Sequence, residues 1–242
     1  MKFLIGYRAL NKYVFMLFFL MVVHPVYGET YGRTICEYPG FYCRKVKRGE
    51  TWATIFPKQM ERDLIKRLNR MNTAIYAGMV IAVPETLENM DIMDFSPFPK
   101  QIDPPNEKLI IIDPNEQAWA SYDMDGTLIK WGPASSGADW CKDIDGACYT
   151  EAGTFRIFSL GSSDCYSTKF PLPDGGAPMP YCMYFHGGQA LHGEPNGLPG
   201  YNASHGCVRL FVNDAEWLRY SFVEGPNANN KYLGTKVIVN AY

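Results

Sequence analysis

Cysteine usage constrains this chain most. Seven cysteines occur, at Cys36, Cys43, Cys141, Cys148, Cys165, Cys182 and Cys207, and all follow an N-terminal stretch built like an export address. Lys2, Arg8 and Lys12 precede an apolar run from Val14 to Val23, and Val26-Tyr27-Gly28 closes it in the manner of a cleavage site. The run is far short of the roughly 20 residues that span a bilayer. Residues 1–28 are therefore expected to be a signal peptide, with Glu29 opening the mature chain and no stable membrane span left after cleavage; an uncleaved anchor is the alternative. Disulfides persist in exported chains. Sequence neighbours suggest pairing Cys36 with Cys43, Cys141 with Cys148 and Cys165 with Cys182, each closing a short loop worth about 2–3 kcal/mol on the chain-entropy view. That pairing leaves Cys207 as a lone thiol in an oxidising compartment, which marks it for a function.

The remainder divides by pattern. Formal charge is −2 with no block of like charge, which removes the electrostatic basis for binding nucleic acid. After the first cysteine pair, Lys45-Val46-Lys47 reads as a short strand and Gly49-Glu50-Thr51-Trp52 as a turn into a helix. Leu64, Ile65 and Leu68 recur at helical spacing, and Met79 to Val83, closed by Pro84, reads as a strand. This strand, helix, helix, strand order resembles a LysM domain. The resemblance rests on Val46 to Thr51 with Glu50 where Asp is usual, on Leu68-Asn69 to Asn72, and on Gly78 to Pro84. It implies a small α+β unit over 29–84 that binds the glycan of peptidoglycan or chitin; a packing unit that binds no sugar is the alternative. Residues 85–106 carry Pro97, Pro99, Pro104 and Pro105 and read as a linker or strap.

From 107 to 242 the pattern changes to short strands and glycine turns. Leu109 to Ile112, Ala118 to Tyr122, Thr127 to Trp131 after Asp125-Gly126, Gly153 to Phe158 and Lys236 to Asn240 are strand candidates. Only Asn213 to Val223 reads clearly as a helix, with Asn213 as its N-cap. The class is mainly β with a few helices. Gly161 to Pro180 is long and irregular, as lids and binding loops are.

Chemistry concentrates in this second region. His186, His192 and His205 are the chain's only histidines beyond His24, and all lie shortly before Cys207. A free thiol with a pKa near 8.5 is only about a few per cent ionised at neutral pH, and an imidazole that takes its proton makes it a nucleophile. The same ring can later protonate a departing amine. In Ser204-His205-Gly206-Cys207, the glycine lets backbone N–H groups approach a developing oxyanion closely.

Leu191-His192-Gly193 followed by Ser204-His205-Gly206-Cys207-Val208-Arg209-Leu210 resembles the signature of the L,D-transpeptidase catalytic domain. Thr150 to Ile157, with Glu151 where that family has Pro, and Met179-Pro180-Tyr181 support the match. The resemblance implies a β-sandwich-like catalytic domain with Cys207 as nucleophile and His192 as base. The implied reaction attacks the third residue of a peptidoglycan tetrapeptide stem, releases D-alanine, and passes the thioester to an amine on another stem or on an anchored lipoprotein. No metal or other cofactor is implied, and carbapenem sensitivity is. Water as acceptor would make the enzyme an L,D-carboxypeptidase.

Ser204, His205 and Gly206 are read as the turn that shapes the oxyanion site. Arg209 either binds a substrate carboxylate or braces the loop. Tyr184, Gly193 and His186 are candidates for the cleft, with His186 equally well a core or surface residue. Two rivals remain at this level. His186, His192, His205 and Cys207 are all zinc-type ligands, though without the short paired spacing of closed zinc sites. A wall-binding protein with an inactive catalytic domain is the other, and intact His192, Gly206 and Cys207 argue against it.

Overall fold

The computed structural model describes residues 29–88 and 90–242; the expected export signal lies outside the described residues. Two short units form on either side of a strap, and the first is an α+β layer. Helix α1 (Tyr31–Ile35) is tied by the Cys36–Cys43 disulfide to β1 (Phe41–Lys45), which pairs antiparallel with β2 (Val80–Pro84). Between them run α2 (Trp52–Ile55) and α3 (Gln59–Leu68). The Thr51 side chain accepts from Thr54 N and so satisfies one of the amides that a helix start leaves unpaired. Trp52, Ile65, Leu68, Met71, Ile81 and Val83 make the core. The strand expected at Lys45 to Lys47 lies earlier, because the disulfide holds Cys43 in the ladder opposite Ala82 and the Lys47–Glu50 turn begins just after Val46.

The described residues after 90 in the segment expected as linker or strap pack on the second unit. A 3-10 turn (Ile92–Phe95) gives its Ile92 carbonyl to the Trp131 indole at 2.9 Å, Pro99 accepts from the Tyr122 hydroxyl at 2.8 Å, and Phe98 is buried. The indole and phenol each find a partner for their polar end, which lets both rings be buried against the strap.

The second unit is one curled sheet rather than the two layers of a sandwich. Its strands are β3 (Leu109–Asp113), β4 (Ala118–Tyr122), β5 (Leu128–Ser135), β6 (Gly153–Arg156), β7 (Ser159–Leu160), β8 (Met183–His186), β9 (Gln189–Gly193), β10 (Val208–Leu210) and β11 (Lys236–Val239). They lie in the order β6-β11-β3-β4-β5-β10-β9-β8-β7. The sheet curls until Phe155 of β6 meets Phe185 of β8 with ring centroids 5.6 Å apart. Ile110, Ile112, Trp119, Leu191, Val208 and Val237 fill the space inside. Helix α4 (Val212–Trp217), prolonged by a π turn over Leu218–Phe222, adds Ala215 and Leu218 to that core. Phe211, not Asn213, holds the N-cap position; burying Ala215 and Leu218 requires the helix to start directly after β10, which leaves Asn213 exposed inside its first turn.

All three disulfides join the cysteine pairs expected from sequence, and Cys207 is free. Among the described residues no helix is long and apolar enough to cross a membrane.

Candidate active site

Strand register brings the nucleophile and base candidates together. β9 and β10 are parallel, with Val208 opposite Leu191, Arg209 opposite His192 and Leu210 opposite Gly193. Leu191, Val208 and Leu210 point into the main core. Side chains alternate along a strand, so Cys207, Arg209, Ala190 and His192 share the opposite face, where Cys207 packs with Met179, Ala190, Cys182 and Tyr184. Cys207 and His192 are diagonal neighbours there. A strand spacing of about 4.8 Å and a rise of about 3.3 Å per residue put such Cα atoms roughly 8 Å apart, within reach of a thiol and an imidazole.

The pair opens on a cavity of about 390 Å³ lined by Lys169, Phe170, Met179, Tyr184, Gln189, His192, Glu194, His205, Cys207 and Arg209. Burial governs the charge of both groups. It pushes the His192 pKa down to about 4; the bond to the Gly193 carbonyl and the Glu194 carboxylate oppose this, and Arg209 adds to it. Burial likewise raises the Cys207 thiol above its usual range, against the Ala190 amide and Arg209, which favour the thiolate. The resting pair is therefore thiol and neutral imidazole.

The imidazole tautomer follows from its partner. Nδ1 of His192 lies 2.8 Å from the Gly193 carbonyl oxygen. An oxygen of that kind only accepts, so Nδ1 carries the hydrogen and Nε2 is left as the basic nitrogen. The thiol meets the Gly188 carbonyl at 3.8 Å and does not hydrogen-bond the imidazole in this state.

The turn before Cys207 is built around glycine. Gly206 has φ of +106°, and a Cβ there would come within 2.9 Å of Gln189 Nε2. Its amide donates to Ser204 Oγ at 3.1 Å, and that hydroxyl donates to the Cys207 carbonyl. Ser204 is buried and acts as the hydrogen-bonding centre of the turn.

Arg209 reaches the cavity and pairs through Nε with Glu194 at 3.4 Å. Tyr184 lines the same wall. Gly193 contributes packing rather than a cavity surface: a Cβ there would meet Val212 Cα at 3.0 Å. His186 does not join the site. It is exposed at the end of β8 and lies against Phe155, ring centroids 4.7 Å apart. A register shift between Tyr184 and His186 carries it off the face that Tyr184 shares with Cys207.

Sequence reasoning passed over Asp143, Phe170, Gln189 and Glu194. Glu194 directly follows His192-Gly193 and Gln189 opens the strand that carries His192, so both were within local reach; Asp143 and Phe170 arrive from distant loops. The four zinc-type residues do not gather. The cluster of metal-type groups found among the described residues is Cys141, Asp143 and His205, and Cys141 is held in a disulfide, so two ligands remain.

The chain is similar to proteins of one known family. The family model for the L,D-transpeptidase catalytic domain matches residues 107–239. Among solved structures, an L,D-transpeptidase from Xylanimonas cellulosilytica is 22% identical at a TM-score of 0.51, covering 81% of this chain and 97% of that one. An L,D-transpeptidase from Stackebrandtia nassauensis is 22% identical (TM-score 0.45), with 59% of each chain covered. One from Mycobacterium smegmatis is 24% identical (TM-score 0.42), covering 56% of this chain and 59% of its own. No curated protein matches significantly.

Proposed function

The chain belongs to the L,D-transpeptidase family, and from that premise we propose that it is an exported cysteine acyltransferase that cross-links peptidoglycan stem peptides through a thioester on Cys207. The observation that carries this reading is the placement of the one free thiol on the same sheet face as a buried histidine whose Nδ1 is already occupied.

The chemistry then runs in two steps. His192 Nε2 takes the thiol proton as the sulfur attacks the carbonyl of the third stem residue. The bond to the terminal D-alanine breaks, and its departing amine receives the proton from the imidazolium. An acceptor amine attacks the thioester, gives its proton to His192 and releases the thiol. Because burial makes the imidazolium costly at rest, the proton passes from sulfur to ring as the sulfur attacks rather than before it. Arg209, already beside Glu194, would hold a stem carboxylate. The first unit would serve as the LysM-like glycan anchor. Three disulfides fit an exported, oxidising location, in the periplasm or at the wall.

The test is to incubate the mature chain with disaccharide tetrapeptide and weigh the products. Cross-linked dimers are expected. Tripeptide alone would make water the acceptor, and unchanged tetrapeptide would overturn the enzymatic reading.

A further inference from the structure

The connector from His192 to Cys207 is held midway by the first unit of the chain. Beyond Tyr201 the connector is anchored to the end of β5 and the residues after it: Ser135 Oγ donates to the Tyr201 carbonyl at 2.8 Å, and Ser204 N donates to the Ser136 carbonyl at 3.0 Å. Leu198 to Gly200 instead take their backbone partners from the N-terminal unit. Leu198 N donates to Asn72 Oδ1 at 2.7 Å, and Asn72 N donates to the Leu198 carbonyl at 3.1 Å. Pro199 bridges to Met71, and Tyr31 N donates to the Gly200 carbonyl at 2.8 Å. Leu198 is fully buried. Room for the Asn72 amide depends on a missing side chain: a Cβ on Gly197 would lie 2.8 Å from Asn72 Oδ1.

The connector starts at the active site. Glu194, its first residue, pairs with Arg209 and lines the cavity, and its amide donates to the Leu210 carbonyl at 2.9 Å. The unit that supplies Asn72 is itself fixed: Arg67 donates twice, at 2.7 Å each, to the fully buried Asp214 of α4, and Arg70 Nε donates to the Glu116 carbonyl at 3.0 Å.

We infer that Asn72 is a positioning residue for the Cys207 and His192 pair, clamping Leu198 at both its N–H and its C=O so that the N-terminal unit sets the geometry of the site. The inference rests on Cys207 and His192 acting as nucleophile and base. It assigns the first unit a duty beside any glycan binding: without its clamp, the connector between base and nucleophile loses its fixed path.

The test reads how readily the thiol reacts with an electrophile when His192 can take its proton. The full mature chain, disulfides intact, is alkylated with iodoacetamide across a pH series, for the parent, Asn72→Ala, Asn72→Asp and His192→Ala, with melting followed in parallel. Asn72→Ala is expected to slow alkylation at neutral pH by roughly tenfold, inside the loss of up to about a hundredfold that displacing a reacting pair by an ångström can cause. Its pH profile should move toward that of His192→Ala. Asn72→Asp keeps an acceptor for Leu198 N and should restore most of the rate, which a merely structural role would not require. Asn72→Gln, which keeps the amide but moves it by one methylene, serves if Asn72→Ala melts too early, and should also slow the reaction. A folded Asn72→Ala or Asn72→Gln with the parent's rate and profile, or an Asn72→Asp as slow as Asn72→Ala, overturns the inference. Alkylation needs no acyl donor, so this outcome stands apart from that of the stem-peptide assay.

Discussion

Both carboxylate oxygens of Asp143 lie on Nε2 of His205, at 2.7 and 2.9 Å. The ring's face is covered as well: Phe170 stacks on it with centroids 4.3 Å apart. Asp143 sits in the loop closed by Cys141 and Cys148, and Phe170 in the loop closed by Cys165 and Cys182. Two cross-linked loops thus grip the residue that precedes Gly206 and Cys207.

Asp143→Ala should therefore separate activity from stability. The carboxylate is exposed, so its loss should move the melting temperature by no more than about 2 °C. Thioester formation with a carbapenem should slow several-fold, because the cysteine turn loses its lateral hold. Stopped-flow acylation beside a thermal melt reads both, and an unchanged acylation rate would show that His205 does not position the turn.

Cys207→Ala is expected to abolish the covalent carbapenem adduct seen by mass spectrometry, and His192→Ala to suppress its formation by roughly a hundredfold or more, the range that general acid–base catalysis covers. Cys207 is the one cysteine not held in a disulfide. An adduct on the Cys207→Ala protein would sink the assignment.

How far the sequence could carry a reader depends on how local each feature is. The disulfides were legible because each joins near neighbours along the chain, and β3 and β4 because apolar runs sit between turn residues. The closure of the sheet was not. It hinges on β10, three residues long, which pairs with β5 on one side and β9 on the other, a contact that no local pattern announces. His192 and Cys207 stand out in the sequence as candidates, whereas Glu194 and Asp143 acquire partners only through tertiary placement. His186 looks equivalent to the other histidines in the sequence, and only the bulge after Tyr184 turns it away.

Stability should fall as acid charges His192. Its folded pKa of about 4 lies below the ordinary value of 6.5, so the folded protein binds the proton more weakly than the unfolded chain. The stabilisation from keeping the ring neutral is complete above about pH 6.5 and is lost as pH falls through the folded value, on the order of 3 kcal/mol in full. His192→Gln removes this titration. Urea midpoints measured from neutral pH down to about pH 4 should converge for parent and variant as the pH drops, and parallel curves would contradict the buried neutral ring.

Gly132 of β5 tests how tightly the two units are joined. A Cβ there would meet Asp214 Oδ2 at 2.5 Å, Arg67 Nη1 at 2.8 Å and Trp119 Nε1 at 2.8 Å. Asp214 is fully buried and holds Arg67 together with Lys130, whose Nζ lies at 3.1 Å. Asp214 cannot reach water, and a retreat of Arg67 would leave it with Lys130 alone; breaking a buried pair outright costs about 3–5 kcal/mol. Gly132→Ala adds only one methyl, yet it should destabilise by at least about 2 kcal/mol, near the upper end of ordinary overpacking. Gly188→Ala is the matched control, since nothing lies within 4 Å of the place its methyl would take. Urea midpoints at constant m-value decide the matter: equal midpoints for the two variants would mean that the Arg67 and Asp214 junction yields easily, and that the N-terminal unit is not rigidly seated on α4.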